Sequence, residues 1–546
     1  MHRQDSPSPV PQRARLAAVV TLALVASGQA FAQGTPPPLL TAVDAPSAQA
    51  RAWAAAERAR SPMIAATAFV RVDVAALRKL PVVGAPPLGT FGLELFDQTV
   101  LFDVRRTQWS LGYQVFTGDV RGHTGAVQLT VAADGTTFGM IDVDGTGFVV
   151  AHSTDADVHV LQRIDQSLLP AHMGCGTDHT HAIAAPPVAT VSYDTNSDCG
   201  KTTIDLLVFY TPMARQNAGG VTAMEAAVVG AVAQANVGHE ASGVPVEFRL
   251  VHTAETNYAE LGTSTDLTRF RDPNDGFMDE VHTLRDTYGG DLMQLITDPV
   301  SAAYCGIGYL MTTLSTAFEP NAFAVTVRTC IPNHSFTHEC GHNMGSHHDA
   351  ANAGAALYPY SYGFRTADNA YRTIMAYAPG TRINRWSSPN VQYLGYTMGN
   401  AGTADNALSL DNTRMTVSQF RATQAPVWCD LNGGVPGATG LPTLTGRGTI
   451  NLATPLTLTV RNYQAPTIGL LVIGASAINV PLFGGVLVPA PDVTPTLLGT
   501  TSEIVYDAGW LATLSPGTQV WFQAAFLDAT ATQGLAASDA VKVTVP

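Results

Sequence analysis

The chain has 546 residues, of which 46% are hydrophobic and 13% are charged, and its formal net charge is −14. A chain of this length exceeds a single hydrophobic core, so about three or four domains are expected. The 49 glycines and 34 prolines favour β-rich domains with many turns and argue against long coiled coils. The 29 basic residues form no block, so neither nucleic acid nor anionic lipid is expected as a partner.

Residues 1–32 have the pattern of a secretion signal. Arg13 and Arg15 precede the apolar run Leu16 to Ala26, and Ala30-Phe31-Ala32 offers a small-x-small cleavage site. A membrane anchor is the alternative, but this run is well short of the ~20 apolar residues that cross a bilayer, and no later segment qualifies as a membrane span. The sequence therefore predicts a secreted, extracellular protein in which cysteines can pair.

A β-rich region is predicted over residues 33–197. Phe91 to Phe96 and Ala126 to Val131 have strand character, and turn signals such as Asp134-Gly135 separate such runs. Residues 170–197 carry less pattern and are predicted to be a linker.

An α/β domain is predicted over residues 198–425. Ile204 to Tyr210 is an apolar run typical of a buried strand, and Thr222 to Glu240 has helical composition. A second strand is predicted at Val246 to Val251 and a second helix at Phe277 to Tyr288. The alternation of strands and helices is the reason for this prediction.

A C-terminal all-β module is predicted over residues 440–546. This part has almost no helical pattern and contains strand signals such as Leu456 to Val460 and Val520 to Ala524. Gly469 to Pro489 is apolar but interrupted by glycines and prolines, which favours paired strands. A β-sandwich is the expected architecture.

The residues that carry chemistry begin at His338. On a helix, His338 and His342 differ by ~40° around the axis, so both imidazoles can hold one zinc ion. Glu339 then projects beside the metal, where its carboxylate can take a proton from a metal-activated water and pass it to the leaving amine. Glu339 is therefore expected to be a general base and not a ligand.

A third ligand is expected at His348. Gly345 tolerates positive φ and can end the helix, so that the chain turns back and His348 completes a tripod. Three protein ligands leave one position open, which is typical of a catalytic zinc site. Cys340 lies on the opposite face of the helix, where a buried free thiol is expected. A histidine-rich loop without metal is the alternative, and the fixed spacing of the motif disfavours it.

The twelve residues from His338 to Asp349 match the HExxHxxGxxHD signature of metzincins, in its adamalysin or reprolysin-like form. Thr373 to Tyr377 resembles the Met-turn of that family, with Met375 as a packing residue beneath the metal. The resemblance implies a catalytic domain with a twisted mixed sheet, an active-site helix and one catalytic Zn²⁺ ion. It implies nothing about Ca²⁺.

Further segments are similar to bacterial secreted members described as peptidyl-Asp metalloendopeptidases. They are Ile204 to Pro212, Cys305 to Tyr309 and Arg385 to Pro389, within a similarity that covers about Asp198 to Arg421. In such enzymes an edge strand of the sheet binds the substrate backbone, which suits polypeptide substrates but explains no side-chain preference. The residues expected to form that edge are Gly306, Ile307, Gly308 and Tyr309.

Tyr377 lies two residues after Met375, where the astacin and serralysin branches carry a tyrosine that approaches zinc. The resemblance implies that Tyr377 ligates zinc weakly or donates to the developing oxyanion. A buried core tyrosine is the alternative reading.

The chain has six cysteines. Cys305 and Cys330 bracket two predicted strands before the active-site helix and are predicted to form a disulfide that holds the edge strand. Cys199 and Cys429 flank the catalytic domain, and a bond between them is left open.

Cys175 lies in the run Met173-Gly174-Cys175-Gly176, which resembles the cysteine switch of metzincin pro-segments. A thiolate there could fill the open zinc position until the segment is cut away. An ordinary disulfide cysteine or an incidental thiol is the alternative. With this resemblance, the β-rich residues 33–197 are interpreted as a propeptide.

The sequence thus predicts a secreted, monomeric zinc metalloendopeptidase made as a zymogen. The alternative is a non-catalytic adhesive or binding protein on a metzincin scaffold. The retention of Glu339 favours the enzyme, because a degenerate scaffold would be free to lose the base. The C-terminal module could bind a surface, a glycan or the catalytic domain, and its residues do not choose among them.

Overall fold

The computed structural model describes residues 36–80, 86–155, 157–170, 173–176, 199–299, 302–529, 531 and 533–546. The predicted secretion signal and most of the predicted linker lie outside these residues. Residues 37–546 form one compact unit. Three parts of the larger unit are named here by position: the N-terminal region (37–170), the central region (199–425) and the C-terminal region (426–546).

The N-terminal region is an antiparallel sheet, of which nine strands lie in the described residues. Because apolar residues alternate along the strands, one face of the sheet packs on a core formed by residues of the N-terminal region. Tight turns such as Asp144-Gly145 join the strands. Helices cover Ala48–Arg60 and Val74–Arg78. In spatial order the strands are Leu40–Ala42, Ile64–Val72, Val158–Ile164, Thr146–Asp155, Thr137–Val143, Ala126–Val131, Tyr113–Val120, Gln98–Ser110 and Gly89–Leu95.

The central region is built on a mixed sheet with five described strands. In spatial order they are Val246–Glu255, Thr202–Tyr210, Leu292–Thr297, Phe323–Val327 and Gly306–Gly308. The first four are parallel and the last is an antiparallel edge. Every residue of Thr202–Tyr210 is buried, as expected for a parallel strand covered on both faces.

Helices of the central region cover the sheet, and short strand pairs follow the site. The helices are Pro212–Ala218, Val221–Ala241, Thr263–Arg271, Glu280–Tyr288, Ser335–Asn343 and Asn406–Val417. The short pairs are His347–Asp349 with Tyr362–Gly363, Tyr371–Arg372 with Thr381–Arg382, and Gln392–Tyr393 with Tyr396–Thr397.

The helix Val221–Ala241 is long and apolar enough to cross a membrane, by length and composition only. The expectation that no later segment would qualify as a span is therefore wrong on that criterion. Its most apolar window has a mean hydropathy of 1.2 and is 78% buried inside the protein. It is long and apolar because it packs between the central sheet and the N-terminal sheet, so both of its faces are covered.

The C-terminal region contains a six-stranded and a three-stranded sheet in its described part. The larger has Val427–Asp430, Val541–Thr544, Gln519–Leu527, Thr467–Gly474 and Thr496–Gly499 in order, with Leu535–Ala537 beside Gln519–Leu527. The smaller has Thr443–Arg447, Thr457–Arg461 and Glu503–Asp507, and Ala477–Leu482 pairs with Gly485–Pro489. Side chains of both sheets enclose one apolar core.

Candidate active site

The helix Ser335–Asn343, which carries His338, Glu339 and His342, is flanked by left-handed residues. His334, at its start, has φ +57°, and Gly345, just beyond its end, has φ +88°. A Cβ on Gly345 would lie 2.6 Å from the Leu357 side chain. Glycine is therefore favoured at this position by the positive φ and by the lack of space for a side chain. The chain then turns back into the short strand His347–Asp349, as the spacing of the motif predicts.

Three imidazoles meet at one point. The Nε2 atom of His342 lies 3.1 Å from the Nε2 atom of His338 and 3.1 Å from that of His348. Zinc–nitrogen bonds of about 2.0–2.1 Å at tetrahedral angles would separate ligand nitrogens by about 3.3–3.4 Å. The three side chains therefore fit a single zinc ion.

Backbone carbonyls set the orientation of two of these rings. His338 Nδ1 lies 2.8 Å from the carbonyl oxygen of Ile374, and His342 Nδ1 lies 2.9 Å from that of Ser346. Each Nδ1 is placed to donate to its carbonyl, which makes Nε2 the acceptor nitrogen of each ring. Burial lowers the pKa of His338 and of His348 well below its ordinary value, so both imidazoles are neutral, as metal ligands must be.

Glu339 lies against the edge strand and is 1% exposed. A Cβ on Gly306 would meet its carboxylate at 2.5 Å, so only glycine leaves room for that side chain. Burial raises the pKa of Glu339 to about 8, and a divalent cation beside it would lower that pKa. A carboxyl with such a pKa can accept and release a proton near neutral pH.

The predicted Met-turn lies beneath the active-site helix. Met375 is fully buried, and a Cβ on Gly341 of the helix would lie 2.8 Å from its sulfur. Asp349, the last residue of the motif, accepts the backbone N–H of Tyr377 at 2.9 Å. Gly341 and Asp349 thus hold the turn at a fixed depth below the imidazoles.

Tyr377 lies beside the imidazoles. Its ring centroid is 4.2 Å from that of His348, and its hydroxyl donates to the carbonyl oxygen of Cys175 at 2.5 Å. Burial raises the pKa of this phenol above its ordinary value, so it is a donor at neutral pH.

Cys175 reaches the same point from the chain that follows the N-terminal region. Its sulfur lies 3.4 Å from His342 Nε2 and 3.3 Å from Glu339 Oε2. The ligand atoms of Cys175 and the three histidines all lie within 4.8 Å of one another. This four-atom group has the composition of a Cys-His₃ zinc site, which has no open position for water.

The chain around Cys175 extends the central sheet. Cys175 pairs with Gly306 as a parallel bridge, Cys305 donates its N–H to Gly174 at 2.9 Å, and Gly176 donates to Gly306 at 3.0 Å. A Cβ on Gly176 would lie 2.4 Å from the Tyr304 ring, so the glycine after the cysteine is a steric requirement. The edge predicted to bind substrate is therefore covered in this state.

The structure contains two disulfides in its described residues. Cys305 is bonded to Cys330, the predicted pair, and Cys199 is bonded to Cys429, the pair that the sequence left open. Cys340 is a buried free thiol, and its sulfur accepts from Gln294 Nε2 at 3.2 Å.

Two residues near the site carried no recognised signal in the sequence. Arg382 is buried behind the Met-turn, and Gln166 of the N-terminal region hydrogen-bonds its backbone. Arg382 could have been identified from the sequence by its position, because it is a basic residue shortly after the Met-turn. Nothing local marks Gln166, because its partner lies 216 positions away.

The segment that holds the motif matches a known family. Residues 200–387 match the family model Reprolysin_5, described as Metallo-peptidase family M12. This segment contains the three histidines, Glu339 and the Met-turn. The predicted resemblance to reprolysin-like metallopeptidases is therefore confirmed.

Two curated relatives carry the name peptidyl-Asp metalloendopeptidase. The protein of Xanthomonas campestris pv. campestris is 37% identical over 269 residues, and that of Stenotrophomonas maltophilia strain K279a is 37% identical over 272 residues. Each similarity covers 48% of this chain. The chain spans 62% of the first relative's length and 63% of the second's.

Among solved structures, metalloproteinase-II from Bacteroides fragilis is 10% identical with a TM-score of 0.32, covering 50% of this chain and 84% of that one. That similarity is too weak to bear on the fold.

Proposed function

We propose that this chain is the zymogen of a secreted zinc metalloendopeptidase that hydrolyses internal peptide bonds of proteins. The observation that carries the proposal is the convergence of three imidazole Nε2 atoms beside a buried carboxyl, Glu339. The relatives are named for aspartate, and we extend that preference to this chain: it cleaves beside aspartyl residues.

His338, His342 and His348 would hold the zinc ion, which when bound supplies Lewis acidity toward water and the scissile carbonyl. Glu339 takes the proton of the attacking water and passes it to the leaving amine. Because Glu339 packs against Gly306, its carboxylate lies at the place where a bound peptide backbone would run.

Two further parts of the site act on the peptide itself. The edge strand Gly306–Gly308 hydrogen-bonds the substrate backbone once the chain around Cys175 has left it. The hydroxyl of Tyr377, which now donates to a carbonyl oxygen, donates to the oxyanion that forms on the attacked carbonyl.

Latency in this proposal comes from Cys175. Its sulfur completes a four-donor set with the imidazoles, and its neighbours occupy the substrate edge. Activation therefore requires that the chain be cut between Gly176 and the central region and that the Cys175 segment leave.

The test uses the full chain, secreted and allowed to process. Casein cleavage should disappear with a chelator and return with zinc. Glu339→Ala should lower kcat by about 10²–10⁴-fold while zinc content stays at one ion per chain. The matched control is Glu247→Ala, in the strand at the opposite edge of the same sheet, which should keep full activity.

Retained proteolysis in Glu339→Ala would exclude this mechanism. A processed wild-type protein that holds zinc but cleaves neither casein nor any peptide would instead support the adhesive alternative.

A further inference from the structure

A buried arginine lies behind the Met-turn, and the described residues give it no acidic partner. Arg382 is 5% exposed. Its Nη1 donates to the carbonyl oxygen of Asn333 at 3.0 Å and its Nη2 donates to that of Ala376 at 3.3 Å. Its Nε has no hydrogen-bond partner, and no carboxylate among the described residues forms an ion pair with it. A guanidinium in this position is held by carbonyls alone.

The charge of Arg382 acts on the catalytic groups. Burial lowers its pKa to about 10, so it remains a cation at neutral pH, and its attraction is felt by Cys175, Glu339 and Tyr377. The carbonyl that accepts its Nη2 belongs to Ala376, the residue before Tyr377. A buried cation without a counter-ion is unfavourable, and an anion that entered beside it would relieve that cost.

The N-terminal region covers this arginine. The side-chain amide of Gln166 accepts the backbone N–H of Arg382 at 2.7 Å and donates to its carbonyl at 2.9 Å. Between the two regions lies a cavity of about 30 Å³, lined by Arg382 and His334 on one side and by Phe148, Gln166 and Asp142 on the other. The N-terminal region thus brings its own aspartate to this cavity, and its departure would uncover the guanidinium.

Two neighbouring arginines are attracted by carboxylates in the uncleaved chain. Arg372 donates to Gly380 and Ala376 and is attracted by Asp349, while Arg385 is attracted by Asp142. Arg382 is the arginine of this cluster whose charge attracts Cys175, Glu339 and Tyr377.

We propose that the guanidinium of Arg382 binds the side-chain carboxylate of an aspartate that flanks the scissile bond, and that it determines the preference for aspartate. This inference rests on the proposed peptidase function. A planar guanidinium donates two parallel N–H hydrogen bonds to the two oxygens of a carboxylate. The neutral amide of asparagine has one oxygen and cannot accept both.

The test compares two peptides that differ only in Asp or Asn at one position, with fragment masses reporting the cleaved bond. The processed wild-type enzyme should favour the Asp peptide in kcat/KM by at least about 100-fold, since a buried charge left unpaired rejects the neutral analogue. Arg382→Gln should reduce this ratio to below about 10 by lowering cleavage of the Asp peptide. Arg382→Lys should give a ratio between these two values, because lysine keeps the positive charge but lacks the paired N–H donors of the guanidinium.

Arg385→Gln is the matched control and should leave the ratio unchanged, because its charge faces the N-terminal region. If Arg382 has a purely structural role, its substitution would lower kcat/KM equally for both peptides and leave their ratio unchanged. That result would overturn the proposal. If Arg382→Gln is not secreted, the wild-type ratio and Arg382→Lys decide, and a wild-type ratio near 1 also overturns it. Failure to cleave any peptide would overturn the proposed function as well, whereas cleavage without preference for Asp would overturn this inference alone.

Discussion

The N-terminal and C-terminal regions are both built of β-sheet, yet they meet the central region in different ways. The N-terminal sheet shares one apolar core with the central region, to which it contributes Met63, Tyr113, Phe138, Met140 and Val149 among others. The C-terminal region instead encloses a core of its own. The first is packed as part of the central fold, and the second as a separate module.

Polar contacts show the same difference. Glu57 of the N-terminal region pairs with the buried Arg328 through two hydrogen bonds of 2.7 and 2.6 Å, and Arg328 also pairs with Asp298 at 2.8 Å. The C-terminal region is joined by the Cys199–Cys429 disulfide and by contacts such as Asn451 Nδ2 to the Thr287 carbonyl at 2.6 Å. Buried charge therefore joins the N-terminal region to the central region. A covalent bond joins the C-terminal region to it.

The largest expected effect concerns latency. In uncleaved chains, Cys175→Ser should raise peptidase activity at least about 10-fold, because a hydroxyl replaces a thiolate that can ligate zinc. Cys340→Ala removes a buried thiol on the opposite face of the helix and should stay latent. Intact mass before and after the assay identifies the uncleaved fraction, and an equally silent Cys175→Ser chain would remove the cysteine from the explanation.

The next prediction compares an ion pair of the N-terminal region with an ion pair of the C-terminal region. Glu57→Gln leaves Arg328 buried without one of its carboxylates and should lower the free energy of unfolding by about 3–5 kcal/mol. Glu503→Gln removes the partly exposed pair with Arg461 in the C-terminal region and should lower it by less than about 1 kcal/mol. Urea unfolding of the uncleaved chain measures both, and equal losses would contradict the comparison.

The last prediction concerns how the free energy of unfolding depends on pH through Asp142, at the interface of the N-terminal and central regions. Burial raises the pKa of Asp142 from its ordinary 3.8 to about 6, against the opposing attraction of Arg385. Because the folded pKa lies above the unfolded one, ionised Asp142 destabilises the folded chain at neutral pH, and this loss disappears as pH falls through 6 toward 3.8. Asp142→Asn should therefore raise the free energy of unfolding at neutral pH, by at most about 3 kcal/mol for this shift in pKa.

The same substitution should change nothing at about pH 4, where the wild-type carboxyl is protonated. Thermal unfolding at both pH values checks this. A constant difference between the two chains would mean that Asp142 does not titrate in that range.

Local patterns in the sequence predict much of the fold. Ile204 to Tyr210 is predicted as a buried strand and lies in the strand Thr202–Tyr210, and Thr222 to Glu240 is predicted as a helix and lies in Val221–Ala241. The helix predicted at Phe277 to Tyr288 begins later, at Glu280, because the backbone at Met278 takes a left-handed φ of +56°. Helix ends depend on such local conformations, which periodicity does not encode.

What the sequence by itself determined is the convergence of His338, His342 and His348, because the helical period and a glycine turn place these residues at fixed spacing along a short segment. Only the tertiary structure decided what surrounds it. Glu57 meets Arg328 across 271 positions, and Gln166 meets Arg382 across 216. Such pairs are selected by packing of whole sheets and helices, and no local pattern of residues specifies them.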